Sequence, residues 1–401
     1  MTEIAPTRRG LLAGAAVAGV AALVPASLWR SSPASAQPPF ILKPTPPEWF
    51  VDHGTNAEML WGSVDRRRYL TPQSRLFVRN HTRTPTISRT GYALRVYGDG
   101  LATPRTESEA LTLTLDDLQR LPRHELTAAH ECTGNGRRFF TEQQGETVSG
   151  TPWALGSVGT VRWTGVRLRD VLRRLGLAPD AVSVQASGLD DPYVSGGIDY
   201  GRVRRPFPVA KALDDALLAW GMNGEELLPD HGFPLRLVLP GWVGIASIKW
   251  LGSLEVARTE LTSPWNTTWY RMTGPQWPAD SPPLTVNPVR SAWELAAGAT
   301  LPSRPTTLTG RSWSGAGRIT RVSVSLDDGR SWRTAALDRR SQQDRGWTQW
   351  SVRCPRLRPG ARHLMARATD EAGRTQPLVA AANSQGYFFD AVVRHPVQVA
   401  A

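Results

Sequence analysis

Apolar and polar positions change rhythm along the chain, and the change divides it. Residues 92–98 alternate with period two, which predicts a strand with one buried face. Residues 111–121 read as a strand running into a short helix, with Thr114 and Asp116-Asp117 as its start signal. Residues 126–130 deliver the chain into Cys132, and residues 167–175 predict an amphipathic helix. Further strands are expected at 181–187 and 235–239; residues 209–219 read as a strand followed by a short helix, and 222–224 as a turn. Prolines between 281 and 288 mark a linker. Beyond it lie short β-like runs at 307–313, 319–326, 332–337, 347–353 and 363–369, with Asp327-Asp328-Gly329 as a hairpin signal. The pattern predicts an α+β protein: a mixed α/β domain over residues 37–285, then an all-β sandwich of immunoglobulin type over 286–401, with Trp313, Trp332 and Trp350 in its core.

Length and composition support this division. The chain has 401 residues, 40% hydrophobic and 20% charged, enough for at least one large core and naturally for two domains. Its formal charge of +12 comes without the finger, helix-turn-helix or RNA-motif spacing of nucleic-acid readers. Excess arginine instead suits anionic small substrates and acidic redox partners, which it steers at a distance. The two cysteines, Cys132 and Cys354, fall in different predicted domains, so a disulfide between them is not the default expectation.

At the start of the chain, Arg8-Arg9 precede a mildly apolar segment, and Ala34-Ser35-Ala36 offer a small-x-small cleavage site. This is the pattern of a twin-arginine export signal over residues 1–36. It implies a periplasmic or otherwise exported protein, carried folded around a cofactor, with no membrane span in the mature chain. Residues 37–50 are proline-rich and expected to wrap the domain as an extended strap.

The candidate chemistry gathers around Glu131-Cys132-Thr133-Gly134-Asn135-Gly136-Arg137-Arg138. A lone cysteine is often only a small buried hydrophobe. Here two glycines permit a tight turn, and two arginines stand ready for an anion. The segment lacks the third glycine of a dinucleotide loop, and His124, His130 and Cys132 lack zinc-site spacing. Two more polar stretches accompany it: Phe77-Val78-Arg79-Asn80-His81, and Asp230-His231-Gly232-Phe233-Pro234-Leu235-Arg236.

Together with Gly188-Leu189-Asp190 and Ser247-Ile248-Lys249-Trp250-Leu251, these stretches resemble, in order and spacing, the molybdenum-containing sulfite oxidase family. The resemblance spans residues 60 to 390. It implies a molybdopterin-binding domain of sulfite oxidase type, with a C-terminal sandwich that pairs two copies. Cys132 would be the thiolate on molybdenum, a soft ligand for such a centre. Phe77, Val78, Arg79, Asn80, His81, Asp190, His231, Arg236, Ser247, Ile248 and Lys249 would hold the pterin and its phosphate. Arg79 and Arg137, with Tyr270 and Trp153, would form the pocket for a small sulfur oxyanion. The implied reaction is the two-electron oxidation of sulfite to sulfate, with electrons leaving singly to a c-type cytochrome or other redox partner.

The chain also departs from the family's animal members. No haem domain is expected ahead of the molybdopterin domain, so no internal haem. Gln385 stands where those enzymes have a substrate-facing arginine, and Gly136 where they have the first of two arginines. The Glu-Cys-x-Gly-Asn-Gly form is closer to the sulfane dehydrogenase subunit of a sulfur-oxidising complex. That leaves three rivals: a dehydrogenase of protein-bound sulfane sulfur, an S- or N-oxide reductase of the same fold, and a metal-free periplasmic binding or scaffold protein.

Overall fold

A computed structural model describes residues 39–342 and 344–401; the expected export segment, residues 1–36, lies outside the described residues. The N-terminal part is built on two larger sheets, beside a three-stranded sheet of Phe50–Asp52, Asn56–Met59 and Val78–Arg79 and a two-stranded pairing of Val194–Ser195 with Ile198–Asp199. In the first of the larger sheets, the strands run in the order Arg204–Pro208, Ser183–Gly188, Leu251–Ala257, Ala93–Tyr97, Leu111–Thr114. Only the pairing of Leu251–Ala257 with Ala93–Tyr97 is parallel; the rest are antiparallel. Arg204–Pro208 sits at the edge, where Pro206 and Pro208, which lack an N–H, do not interrupt a ladder. The second sheet pairs Glu225–Glu226, Leu217–Met222, Val158–Arg167 and Arg123–Glu131, with Arg236–Val238 added on Leu217–Met222. Its longest ladder matches Arg123 with Val166 through to Glu131 with Val158, and so fixes where Cys132 emerges.

Short helices close the ends of these strands. Leu115–Gln119 begins at Thr114, whose hydroxyl accepts the Asp117 amide at 3.1 Å while Asp117 accepts the Thr114 amide at 2.9 Å. Leu168–Leu175 buries Leu168, Val171 and Leu172 on one face, with Asp170 in its first turn and Arg173 and Arg174 in its last. Residues 209–222 reverse the expected order: the helix Val209–Asp214 comes first and the strand Leu217–Met222 second. Pro208 at the helix start and the strand after it, buried except at the half-buried Trp220, account for the reversal. Val158–Arg167 escaped the period-two reading because it is buried on both faces, with only Arg162 exposed.

Two more sheets complete the C-terminal part. One runs Arg290–Trp293, Thr306–Trp313, Thr348–Cys354, Ala336–Leu337; the other runs Ala299–Leu301, His395–Val399, Gly360–Asp370, Ile319–Ser325, Arg333–Thr334. Their inner faces share one core, in which Leu308 and Val352 meet Val322, Val324, Leu364 and Val399. Trp293 packs edge-on to Trp350 at 4.8 Å. Gly310 makes room for that indole, since a Cβ there would lie 2.2 Å from it. Trp313 and Trp350 are buried, but Trp332 is 37% exposed and donates to its own hairpin at the Gly329 carbonyl, so it is not a core residue. Both cysteines are free and buried. No helix among the described residues is long and apolar enough to cross a membrane.

The described chain from Pro39 onward is one compact unit, and a buried ion pair ties its parts together. Glu131, the residue before Cys132, pairs with Arg290 of the first C-terminal sheet, and both are almost wholly buried. Arg290 Nε also donates to the Phe389 carbonyl at 2.8 Å, and Asn135 Nδ2 donates to Glu131 Oε1 at 2.8 Å. Removing one partner of such a pair leaves a buried charge alone. Arg290→Met is expected to cost about 3–5 kcal/mol, read as a lower urea midpoint; an unchanged midpoint would show that the pair carries no stability.

Candidate active site

Cys132 leaves the end of Arg123–Glu131 into a turn held from three sides. Its own amide donates to the Ser157 carbonyl at 2.9 Å, and its carbonyl accepts the Asn135 amide at 3.0 Å. Asn135 Oδ1 accepts from both the amide and the hydroxyl of Ser157. Gly134 lets the Arg137 guanidinium pack over the turn; a Cβ there would lie 2.6 Å from Arg137 Nη2 and push that group aside. The side chain of Cys132 faces two cavities that share it, together with Arg79, Asn80, His81 and Tyr270.

The inner cavity is about 720 Å³ and brings together most of the residues expected to hold a cofactor. Phe77 and Ile248 supply apolar wall, Phe77 stacking on His130 at 5.8 Å. Arg236 donates to the carbonyls of His231 (2.9 Å) and Ser247 (3.0 Å), and its guanidinium lies 4.7 Å from the Trp163 ring centre. Lys249 Nζ donates to Asn80 Oδ1 and, at 2.8 Å, to the Asp230 carbonyl. Burial, reinforced by Arg236, holds that ammonium well below its ordinary pKa. Ser247 is turned to structural work, its hydroxyl accepting the Leu239 amide at 3.0 Å.

The cavity's three histidines, His81, His130 and His231, are held neutral, chiefly by burial and then by nearby cations. His81 Nε2 accepts from Trp265 Nε1 at 3.1 Å, so its proton sits on Nδ1. His231 Nε2 donates to the Gln73 carbonyl at 2.9 Å, leaving Nδ1 as an acceptor. Asp190 accepts the Val203 amide at 3.4 Å, and burial lifts its carboxyl to about 6.

Val78, expected among the cofactor contacts, turns the other way. Strand alternation sends it into a small core with Phe50, Ala57 and Met59, so its side chain takes no part in the cavity.

The outer cavity, about 1030 Å³, brings in Arg137 and Trp153. Arg137 Nε donates to the Gln385 carbonyl at 2.8 Å and Nη1 to the Thr151 carbonyl at 2.9 Å, which fixes the guanidinium plane. Tyr270 is buried in the left-handed backbone region at φ 59°, and burial raises its phenol pKa, so it remains a proton donor. Tyr387 stacks on it at 5.1 Å.

Sequence reasoning missed Tyr387, His130, Tyr193 and Trp269. His130 lacks zinc-site spacing, and the signal that puts it in the cavity wall is its strand position two residues before Cys132.

The unpartnered atoms define what the inner cavity is built for. Arg79 Nη1, Arg236 Nε, Thr133 Oγ1 and Asp190 Oδ1 are buried without a hydrogen-bond partner in the protein. Native interiors rarely leave such groups unmatched. Donors and cations on one side and a carboxylate acceptor on another fit a group with an anionic end and an N–H-bearing edge. Among the described residues no cluster of three or more His, Cys, Asp or Glu side chains could hold a metal ion.

Comparison with known proteins bears on the same region. Residues 81–265 match the oxidoreductase molybdopterin binding domain, and residues 288–399 match the Mo-co oxidoreductase dimerisation domain. Sulfite oxidase of Gallus gallus is 37% identical over 329 residues, 77% of this chain and 68% of that one. The chain belongs to the sulfite oxidase family. Mitochondrial sulfite oxidase of Homo sapiens is 38% identical over 328 residues; 77% of this chain is covered, but the match spans only 57% of the human enzyme's length. Among solved structures of the family's kind, the sulfane dehydrogenase SoxCD from Paracoccus pantotrophus superposes with a TM-score of 0.71 at 26% identity, covering 92% of this chain and 93% of that one.

The strap before the first strand is pinned to this sulfite oxidase-type site. Leu42 and Lys43 donate their amides to the Asp230 carboxylate at 3.0 and 2.6 Å. Lys43 Nζ donates to the carbonyls of Gln73 and Leu76, beside Phe77. Burial lowers Lys43 from 10.5 to about 7, against the pull of Asp230. Between those two values the unfolded chain holds a proton that the folded chain has shed, so stability rises with pH across that window. The gain over a Lys43→Met variant is expected to grow by up to about 1.4 kcal/mol per pH unit, read from urea unfolding at a series of pH values. A pH-independent difference would contradict the buried, neutral amine.

Proposed function

We propose that the chain is an exported molybdopterin oxidoreductase that oxidises sulfite to sulfate and passes the electrons to a separate c-type cytochrome. The observation that carries this reading is the position of Cys132 at the junction of a cation-lined inner cavity and an arginine-bearing outer one. A soft thiolate there suits molybdenum bound by a pterin dithiolene. When bound, that group supplies two-electron redox chemistry with oxygen-atom transfer.

The protein's own residues hold and orient. Arg236 and Lys249, supported by Asn80 and the His231 carbonyl, would take the pterin phosphate, whose charge would favour the protonated lysine that burial alone disfavours. Asp190 Oδ1 would accept from the pterin's N–H edge, and His81 Nδ1–H is a further donor. Arg79, with its free Nη1, and the protonated Tyr270 would bind the substrate oxygens, while Arg137 supplies charge from a fixed position. These groups are ordered before substrate arrives, so little reorganisation opposes charge development.

Residues 37–285 would then be the catalytic domain, and residues 286–401 an immunoglobulin-like sandwich joining two copies. The signal read at residues 1–36 would direct the chain to the periplasm. A second reading, dehydrogenation of protein-bound sulfane sulfur, is favoured by Gln385 and by the extent of the SoxCD superposition.

Purified protein is expected to carry about one molybdenum per chain, and Cys132→Ser to lose the thiolate-to-metal absorption and turnover while the fold survives. Activity retained in Cys132→Ser would refute the assignment. In Arg137→Met, kcat/KM for sulfite should fall by about tenfold to a hundredfold, chiefly through KM, with metal content kept. Unchanged capture would remove Arg137 from the substrate site.

A further inference from the structure

The outer cavity offers more aromatic wall than a small dianion calls for. It measures about 1030 Å³, and no carboxylate or lysine lines it. Of its two guanidiniums, Arg79 keeps an N–H without a partner, whereas Arg137 already donates to two backbone carbonyls. The side chain at 385 adds no charge; its amide Nε2 donates to the Thr268 carbonyl at 3.2 Å. A sulfinate places its two oxygens on a single guanidinium fork, that of Arg79, while Arg137 keeps its charge nearby in a fixed position.

The walls are aromatic to an extent that sulfite does not need. Tyr193 meets Trp269 edge-on at 5.7 Å and stands edge-on to His81 at 5.1 Å, close in the chain to Arg79. Across the same cavity Tyr387 lies flat on Tyr270. Ring faces of this kind bind apolar carbon, with their hydroxyl and indole edges left for polar contacts.

We propose that this site also oxidises organosulfinates to sulfonates, with the sulfinate oxygens on Arg79 and the organic group against Tyr193 and Trp269. The proposal rests on the sulfite-oxidising reading of the same site. A sulfinate keeps the sulfur lone pair that sulfite oxidation uses, but carries a single charge and a carbon substituent. The lone pair becomes a new S–O bond to an oxygen that derives from water, and both O–H bonds of that water break. The C–S bond is retained, two protons are released, and two electrons leave to one-electron acceptors.

The test uses the full-length holoenzyme with ferricyanide as acceptor, and compares benzenesulfinate with sulfite. Benzenesulfonate is expected, carrying oxygen from isotopically labelled water. Trp269→Ala should lower kcat/KM for benzenesulfinate about tenfold more than for sulfite. Gln385→Arg, a change at a half-buried side chain that leaves the ring wall intact, should shift preference toward sulfite by about tenfold. Turnover of sulfite without benzenesulfonate overturns the proposal and leaves the sulfite reading standing. Equal losses for both substrates in Trp269→Ala, with no shift in Gln385→Arg, overturn the placement of the organic group. Turnover of neither substrate by molybdenum-loaded enzyme overturns both readings.

Discussion

Buried basic groups with few free acidic partners are the constraint from which the site follows. Arg79, Arg236 and Lys249 converge on the inner cavity, and the one carboxylate whose free oxygen faces them, Asp190, is itself raised toward neutrality. Asp230 lies close but is occupied by the strap amides and by Thr84. A protein interior tolerates such an arrangement only when something completes it. An anionic cofactor does so, and its binding energy adds to folding stability.

The rest of the architecture keeps this cavity from relaxing. Cys132 is held by a ladder nine residues long, by Asn135 and Ser157, and by Glu131 locked to Arg290 in the C-terminal sheets. Arg290 also holds the Phe389 carbonyl, just beyond the residues that close the outer cavity. The C-terminal part is therefore coupled to the site even though it contributes few side chains to it. At the other end, the strap anchored on Asp230 ties the start of the described chain to the segment that leads through Phe77 into the strand Val78–Arg79.

Much of the site was legible because the chemistry needs particular residue types at particular places. Cys132, Arg79, Arg236 and Lys249 stood out as a thiol and cations inside otherwise apolar or turn-rich stretches. Tyr387 and Trp269 did not, since an aromatic residue in a loop looks the same whether it fills a core or walls a cavity. Val78 was misplaced because a contiguous motif was taken whole, while a strand sends alternate residues to opposite faces. In the fold, amphipathic elements such as Leu168–Leu175 were readable, whereas Val158–Arg167, buried on both faces, carries no period. Trp332 shows the opposite error: a large apolar residue on a hairpin that stays 37% exposed.

The central claim is that Cys132 supplies the protein's ligand to molybdenum inside this cationic cavity. X-ray absorption at the molybdenum edge of the purified holoprotein tests it most directly. A further sulfur neighbour beside the pair from the pterin dithiolene is expected, and its loss in Cys132→Ser; a metal with only the dithiolene sulfurs in both proteins would rule out Cys132 as the ligand.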